Sequence, residues 1–551
     1  MIDFVKKYLP ILIIILILGS YLSIKAMDEN GWDGWGFGSA QILMSSQYWA
    51  KDGLAKNYFL FIPQPYSKLI HYLDEPEFRN RPIDTMDGSL TRGPIHYTHY
   101  PPFFLAPYAI LTKIGITERF LFRFFSIFLS LLALGFFYWF IKSVSNKATA
   151  TIAVFYYGFS VTFLNYADSA FQSWTILFIF LILYLSVQAW QNFNIPEKYK
   201  KYNLYIWFAY LILSLSSYDA TFYIFAYLIL FDIFVLKKFL WKKWLIFASA
   251  PILGFMLQII QNTWYLGWHN MISDFCYIYT ERTFRGVKNF IVGLTGPFVT
   301  MTSVKTFYFF KKTITTLGSA VLIIGILWKL RTKLNLNHYF FKIIVILAVA
   351  AIIQPFFVNA TGGWPYQGVL TAAFWGLLIG TSTIVVLEIF QQKKSLGQKE
   401  RFLFGFLILI IMALWTYQFS NTWSYVKEWP NNVPPKEVIE FSKAIQTFFP
   451  NQEKMAFRII PKNRIWQSQF PTFNFEYYLG MIKIDFANSH DLLVDFWWFR
   501  NRSEYPFYSF LIAENKSDVE KIRQELLAKN MKNVSPIMDI QGLYVFTVGP
   551  K

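Results

Sequence analysis

Apolar residues in this chain come in long unbroken runs rather than in the alternating or one-face patterns of soluble elements. A helix needs about 20 mostly apolar residues to cross a bilayer. Eleven runs approach that length, over 8–26, 120–141, 149–166, 171–190, 203–217, 219–236, 244–262, 314–330, 341–358, 368–390 and 402–420. The runs 203–217 and 219–236 are nearly continuous, and Ser216-Ser217-Tyr218-Asp219 is the expected tight turn between them. After residue 420 the runs shorten and charges of both signs interleave. Glu437–Phe448 and Ser517–Leu527 read as helices, Ala456–Ile460 and Leu543–Val548 as strands. The expected fold is therefore an α-helical polytopic membrane protein of about 11 transmembrane helices followed by a small α/β domain. Residues 1–420 form the membrane module and 421–551 the soluble one.

Polar positions orient these runs. Lysines and arginines fall in every second connection: Lys6/Lys7, Lys142/Lys147, Lys198/Lys200/Lys201, Lys237/Lys238/Lys242/Lys243, Lys329/Arg331/Lys333/Lys342 and Lys393/Lys394/Lys399/Arg401. Such connections face the cytoplasm. That places the N-terminus inside, and the segments 27–119 and 263–313 and the tail outside, in a multi-pass protein of the cell (inner) membrane. The first apolar run follows Lys6 and Lys7 like a signal peptide, but it ends in Ser23-Ile24-Lys25-Ala26-Met27-Asp28 without a clear small-x-small cleavage site, so it reads as a retained anchor. Pro101-Pro102-Phe103 to Ile116 reads as a short amphipathic helix at the interface.

Composition agrees with this reading. The 551 residues are 55% hydrophobic and only 15% charged, where soluble domains carry about a quarter charged residues. The net charge of +18 sits in short loops between apolar runs, as topology signals do, so nucleic acid is not an expected partner. A single cysteine, Cys276, forms no internal disulfide. No P-loop, dinucleotide fingerprint or nucleophile elbow is present, and neither are internal repeats.

The carboxylates give the chemistry. Asp28, Glu29 and Asp33 follow the first run directly, Asp168 falls in the short external turn after the third, and Asp219 falls in the next external turn. Taken singly, each could be an ordinary solvated acid at the interface. Together, at the lip of a helix bundle, they look like a site, because an intramembrane charge is costly unless solvated, paired or metal-bound. Sugar transfer to a hydroxyl or amine needs a base, which such acids supply. A divalent cation, magnesium or manganese, held by Asp33 and Asp168, would suit a departing phosphate. Arg282 and Arg285, among aromatic neighbours on the second external segment, could fork onto a lipid phosphate or simply snorkel at the interface. His96 and His99, within His96-Tyr97-Thr98-His99-Tyr100-Pro101-Pro102, could act as bases or ligands, or could hydrogen-bond the loop into shape.

This arrangement resembles the GT-C superfamily, which includes oligosaccharyltransferases, protein O-mannosyltransferases and the aminoarabinose transferases of lipid A. The shared landmarks are an acidic cluster after the first span, a long first external loop with a short helix, a second acid in the next external turn and a soluble tail. Trp32-Asp33-Gly34 and Thr98-His99-Tyr100-Pro101-Pro102 look most like the mannosyltransferase-related group with a His-Tyr-Pro-Pro first-loop motif. The similarity covers about 1–240. It implies a glycosyltransferase that takes a sugar from a polyprenyl-phosphate-linked donor and passes it to an envelope lipid, glycan or protein outside. It also implies that Asp33, or the pair Asp28/Glu29, is the first-loop catalytic acid, that Asp168 is the assisting second acid and that His99 joins them. His96, Tyr97, Tyr100, Asp219, Arg282 and Arg285 would then contact substrate. The Trp-Trp-Asp signature of bacterial oligosaccharyltransferases is missing, since Trp497-Trp498 is followed by Phe499-Arg500. A polysaccharide polymerase or ligase is the neighbouring alternative. A lipid or sugar flippase is a more distant one, because transporters place ionisable groups near the midplane and often carry inverted repeats. An envelope scaffold is the non-catalytic alternative.

Overall fold

The computed structural model describes residues 2–28, 36–64, 95–98, 100–170, 173–238, 240–283, 305–331, 338–357, 368–392, 397–428, 440–441, 443–444, 447, 455–460, 482–486, 508–513, 515–528 and 534–548. Contacts divide the chain into two units, residues 1–28, 120–258 and 276–430 in one and 29–119, 259–275 and 431–551 in the other.

The first unit is helical: α1 (Ile2–Met27), with α2 (Gly36–Asp52) and α3 (Ala106–Lys113) lying in the second unit, then α4 (Arg119–Val144), α5 (Lys147–Gly158), α6 (Val161–Tyr166), α7 (Ser173–Gln191), α8 (Pro196–Ser214), α9 (Tyr218–Phe231) and α10 (Trp241–Leu266). After α11 (Trp268–Thr283) come α12 (Lys305–Leu330), α13 (His338–Phe357), α14 (Gly368–Gln392) and α15 (Gln398–Glu428). Among the described residues each expected span falls largely on helix. Seven helices among the described residues are long and apolar enough to cross a membrane, including the segments Tyr8–Met27, Ser173–Gln191 and Leu370–Phe390. The protein is a membrane protein of the expected class.

Local chemistry sets the boundaries. The run 149–166, expected as one span, is two helices. Ser160 caps the second by accepting from the Phe163 amide at 3.2 Å, which ends the first at Gly158. The run at 203–217 belongs to a longer helix that starts with Pro196 at its first position, where a missing N–H costs nothing. Ser217 caps α9 from the expected tight turn. Proline inside α1 and α10 is tolerated as it is in membrane helices.

α7 is buried on almost every side, whereas α10 and α15 expose Leu245, Ile246, Phe402 and Leu409. Such apolar faces suit lipid. α5 packs on α14, α7 on α8 and α9 on α13. At the α5–α14 seam a Cβ on Gly380 would lie 2.7 Å from the Thr149 carbonyl oxygen, and on the same helix one on Gly376 would lie 2.5 Å from the Phe137 ring of α4. Only glycine lets these helices approach so closely.

In the second unit α2 and the hairpin of β1 (Phe61–Gln64) and β2 (Ile95–Tyr97) pack together. Ser45 Oγ donates to the Ile62 carbonyl at 2.7 Å and accepts from its amide at 3.0 Å. Trp49 Nε1 donates to the Leu60 carbonyl at 2.9 Å. A 3-10 turn over Pro102–Leu105 leads into α3, so a short helix stands where one was expected after Pro101-Pro102. The tail forms a five-stranded mixed sheet, β4-β3-β5-β7-β6, from β3 (Met455–Ile460), β4 (Ile482–Phe486), β5 (Tyr508–Ala513), β6 (Met538–Ile540) and β7 (Leu543–Val548). β3 pairs in parallel with β4 and β5, and β7 runs antiparallel to β5 and β6. Helix α16 (Lys516–Ala528) buries Val519, Ile522 and Leu526 in a cluster with Leu511, Ala513 and Phe546. This is the small α/β element expected near the C-terminus.

Candidate functional site

In the first unit the end of α1, the start of α4 and the α6–α7 connection meet at a buried ion cluster. Asp168 is fully buried and both of its oxygens are engaged. Lys25 Nζ donates to Oδ1 at 2.8 Å, and Arg123 donates to Oδ2 from Nη2 at 2.6 Å and from Nε at 3.1 Å. Lys25 also donates to the Leu164 carbonyl at 3.0 Å. Arg123 Nη1 reaches the Ala26 and Asp28 carbonyls at 3.3 and 3.4 Å. Ser130 Oγ donates to the Ala167 carbonyl at 2.8 Å, and Tyr425 OH donates to the Leu164 carbonyl at 3.3 Å, which fixes the strand of chain before Asp168. Burial alone would push the Asp168 carboxyl up. The Lys25 and Arg123 charges outweigh it and hold the group below its ordinary value of 3.8. It is an ionised anchor and a poor proton acceptor.

Arg123 thus brings two of the expected acids into one neighbourhood, Asp168 through its side chain and Asp28 through its backbone. Glu29 and Asp33 lie outside the described residues, as do His99, Arg285 and Trp497 to Arg500. Arg282 lies in the last turn of α11. Asp219 is buried in the first turn of α9, where the helix dipole favours an acid.

The remaining expected residues lie in the second unit. His96 on β2 is buried, with ring centroids 5.2 Å from Tyr58 and 4.8 Å from Tyr265. Tyr97, its neighbour on the strand, turns to the other face and meets Phe61 edge-on at 6.1 Å. Tyr100 packs against Phe104 at 5.8 Å. Thr98 donates to Asp274 Oδ2 at 3.0 Å, and its carbonyl accepts from Asn262 Nδ2 at 3.0 Å. The loop is held to α10 and α11 by these two bonds. Sequence reasoning singled out neither Asn262 nor Asp274.

It also missed Lys25 and Arg123. Both are cations at the acid-rich end of apolar runs, against the trend that fixed the topology, and that exception was the available signal. Among the described residues, no group of three or more His, Cys, Asp or Glu could hold a metal ion. With both oxygens held by cations, Asp168 does not fit the part of a metal ligand.

No family model matches the sequence, and no curated protein does. Solved structures match its fold. One is ArnT from Cupriavidus metallidurans bound to undecaprenyl phosphate, with TM-score 0.50 and 11% identity over 98% of this chain and 99% of that one. Another is the Archaeoglobus fulgidus oligosaccharyltransferase tethered to an acceptor peptide containing the NVT sequon, with TM-score 0.50 and 13% identity over 99% of this chain and 75% of that one. The chain has the fold of these membrane proteins. At such identities the likeness concerns architecture, and it agrees with the GT-C-like fold expected from the first loop.

Proposed function

We propose that the protein is a GT-C-type membrane glycosyltransferase. It transfers a sugar from a polyprenyl-phosphate-linked donor to an envelope acceptor on the outer face of the cell membrane. The carrying observation is the meeting at Arg123 of the chain leaving α1, which leads directly into the first-loop acids, with Asp168 from the α6–α7 turn. The shared fold with ArnT bound to undecaprenyl phosphate and with an oligosaccharyltransferase supports the same reading.

In this mechanism a first-loop carboxylate, Asp33 or one of Asp28 and Glu29, takes the proton from the acceptor. The acceptor atom bonds to the anomeric carbon as the carbon–oxygen bond to phosphate breaks, and the polyprenyl phosphate leaves with the electron pair. Asp168 stays ionised throughout and holds its two cations. On this reading Arg282 and Arg285 would bind the donor phosphate, and His96, His99, Tyr97, Tyr100 and Asp219 are the further candidates for contact with substrate. The described donors do not fit a divalent cation. The N-terminus lies in the cytoplasm, and the tail beyond α15 lies outside the inner membrane.

Asp33→Asn should abolish release of polyprenyl phosphate from a lipid-linked sugar by the reconstituted protein, while expression and membrane insertion stay normal. Full activity in Asp33→Asn would move the base to Asp28 or Glu29. Envelope glycans and glycoproteins unchanged between a deletion strain and its parent, by mass spectrometry, would refute the proposal.

A further inference from the structure

Two apolar stretches long enough to cross a membrane, Tyr218–Leu236 and Trp241–Leu266, meet at the turn between α9 and α10, which therefore sits at a bilayer boundary. The turn is ordered. α9 runs on into the π turn Asp232–Leu236, and Lys237 stops it in the left-handed region at φ 54°, where side chains other than glycine are uncommon. The Lys237 and Lys238 amides both donate to the Asp232 carbonyl. From α13, Lys342 Nζ donates to the Phe234 carbonyl at 2.9 Å. These bonds fix the shape of the backbone before α10 begins at Trp241.

The surface of this turn is of two kinds. Lys237, Lys238 and Lys242 are exposed, and none of them has a carboxylate partner among the described residues. The single acid of the segment, Asp232, is already paired with Lys243 at 2.8 Å. Interleaved with these lysines in sequence, Ile233, Phe234 and Trp241 are 45, 51 and 60% exposed. The Lys238 ammonium lies 4.9 Å from the Phe193 ring centroid and that of Lys242 5.6 Å from the Trp241 ring. Both stems thus follow aromatic surface while their charged heads stay in water.

A topology signal asks only for positive charge in a connection. It does not ask for large apolar side chains held open among the charges. A partner that meets both demands carries negative charge in its head and hydrocarbon directly beneath it. A zwitterionic headgroup brings no net charge to the lysines, and a free phosphate leaves the apolar residues uncovered.

We propose that the α9–α10 turn is a binding site for an anionic phospholipid of the leaflet it borders. Lys237, Lys238 and Lys242 hold the headgroup phosphate, and Ile233, Phe234 and Trp241 lie against the upper acyl chains. The site uses none of the candidate catalytic residues, so it stands whether or not the protein transfers sugar.

The test uses the full chain with a bimane fluorophore at position 233 (Ile233→Cys in a Cys276→Ser background), reconstituted in phosphatidylcholine bilayers. A minor fraction of the lipid carries brominated acyl chains, as phosphatidylglycerol in one sample and as phosphatidylcholine in the other. Brominated phosphatidylglycerol should quench the label well beyond brominated phosphatidylcholine. Each lysine near an anionic membrane surface contributes about fivefold to such a preference. Replacing all three, Lys237→Gln, Lys238→Gln and Lys242→Gln together, should therefore remove nearly all of the excess. The melting temperature should stay at the parental value, because the three side chains are exposed. The same label at Phe402→Cys, next to Lys399 and Arg401 at the start of α15, is the control for charge alone and should show a much smaller excess. Equal quenching by the two lipids at 233 would overturn the proposal. So would an equal excess at 402, or an excess that survives the triple substitution. Loss of the excess on adding inorganic phosphate at constant ionic strength would overturn it too, since the lysines would then serve a free anion.

Discussion

Asp168 and Asp232 are both buried carboxylates of the helical unit with a lysine at 2.8 Å, yet they are built differently. Asp232 opens a π turn after α9 and receives Lys243, which donates to both oxygens. That pair is neutral, and Lys243 retains 13% exposure, enough for its ammonium to meet solvent or headgroups. Asp168 receives Lys25 and also Arg123, and none of the three reaches solvent appreciably. At Asp168 the guanidinium also touches the backbone of the chain leading to the candidate acids, a contact with no counterpart among the described bonds of Asp232.

The sharpest break in this comparison is removal of each carboxylate. Asp168→Ala strands two buried cations and should cost about 3–5 kcal/mol, enough to deplete folded protein in detergent. Asp232→Ala strands one lysine that can reach outward and should cost roughly 1–3 kcal/mol. Equal losses in thermal unfolding would erase the distinction. The next effect is in acid. The folded-state value of Asp168 lies below 3.8, so its contribution is complete above that pH and disappears as pH falls through the lowered value. Denaturation midpoints should therefore hold steady from neutral pH to about 5 as far as Asp168 is concerned, then fall below 3.8 in the parent and much less in Asp168→Asn. The smallest effect separates the cations. Arg123→Met keeps the Lys25–Asp168 pair and should cost about 1–2 kcal/mol for the lost hydrogen bonds, whereas Lys25→Met leaves Asp168 on the fork, removes one of the two donors to the Leu164 carbonyl and should cost more. The reverse order would make Arg123 the main neutraliser.

The helices were legible because bilayer thickness imposes a length that few other structures imitate. The tail elements at 455–460, 516–528 and 543–548 were legible for the opposite reason, since short alternating runs between turn residues are ordinary soluble grammar. β6 and β7 meet across Gln541-Gly542, both left-handed, with Asp539 Oδ1 accepting from the Gly542 amide at 3.0 Å; this is a two-residue turn of the type that favours glycine. Helix α2 escaped notice because its Gly, Ser and Gln dilute any apolar face, and its burial depends on a hairpin partner far along the chain. β1 and β2 escaped because strands of four and three residues carry almost no periodicity. The acids were found, but the cations beside them were not. Counting charge loop by loop hides a lysine and an arginine that sit inside apolar runs.

The α5–α14 seam has a mechanical consequence. At Gly380 the backbone of α14 lies against the backbone of α5 with no side chain between them, which leaves no rotamer to exchange and little room to slide. That pair must travel as one rigid body. Any rearrangement of the bundle then falls to its jointed parts, such as the break at Phe159 and Ser160, and on the proposed function stiffening that joint should slow turnover without touching the chemistry.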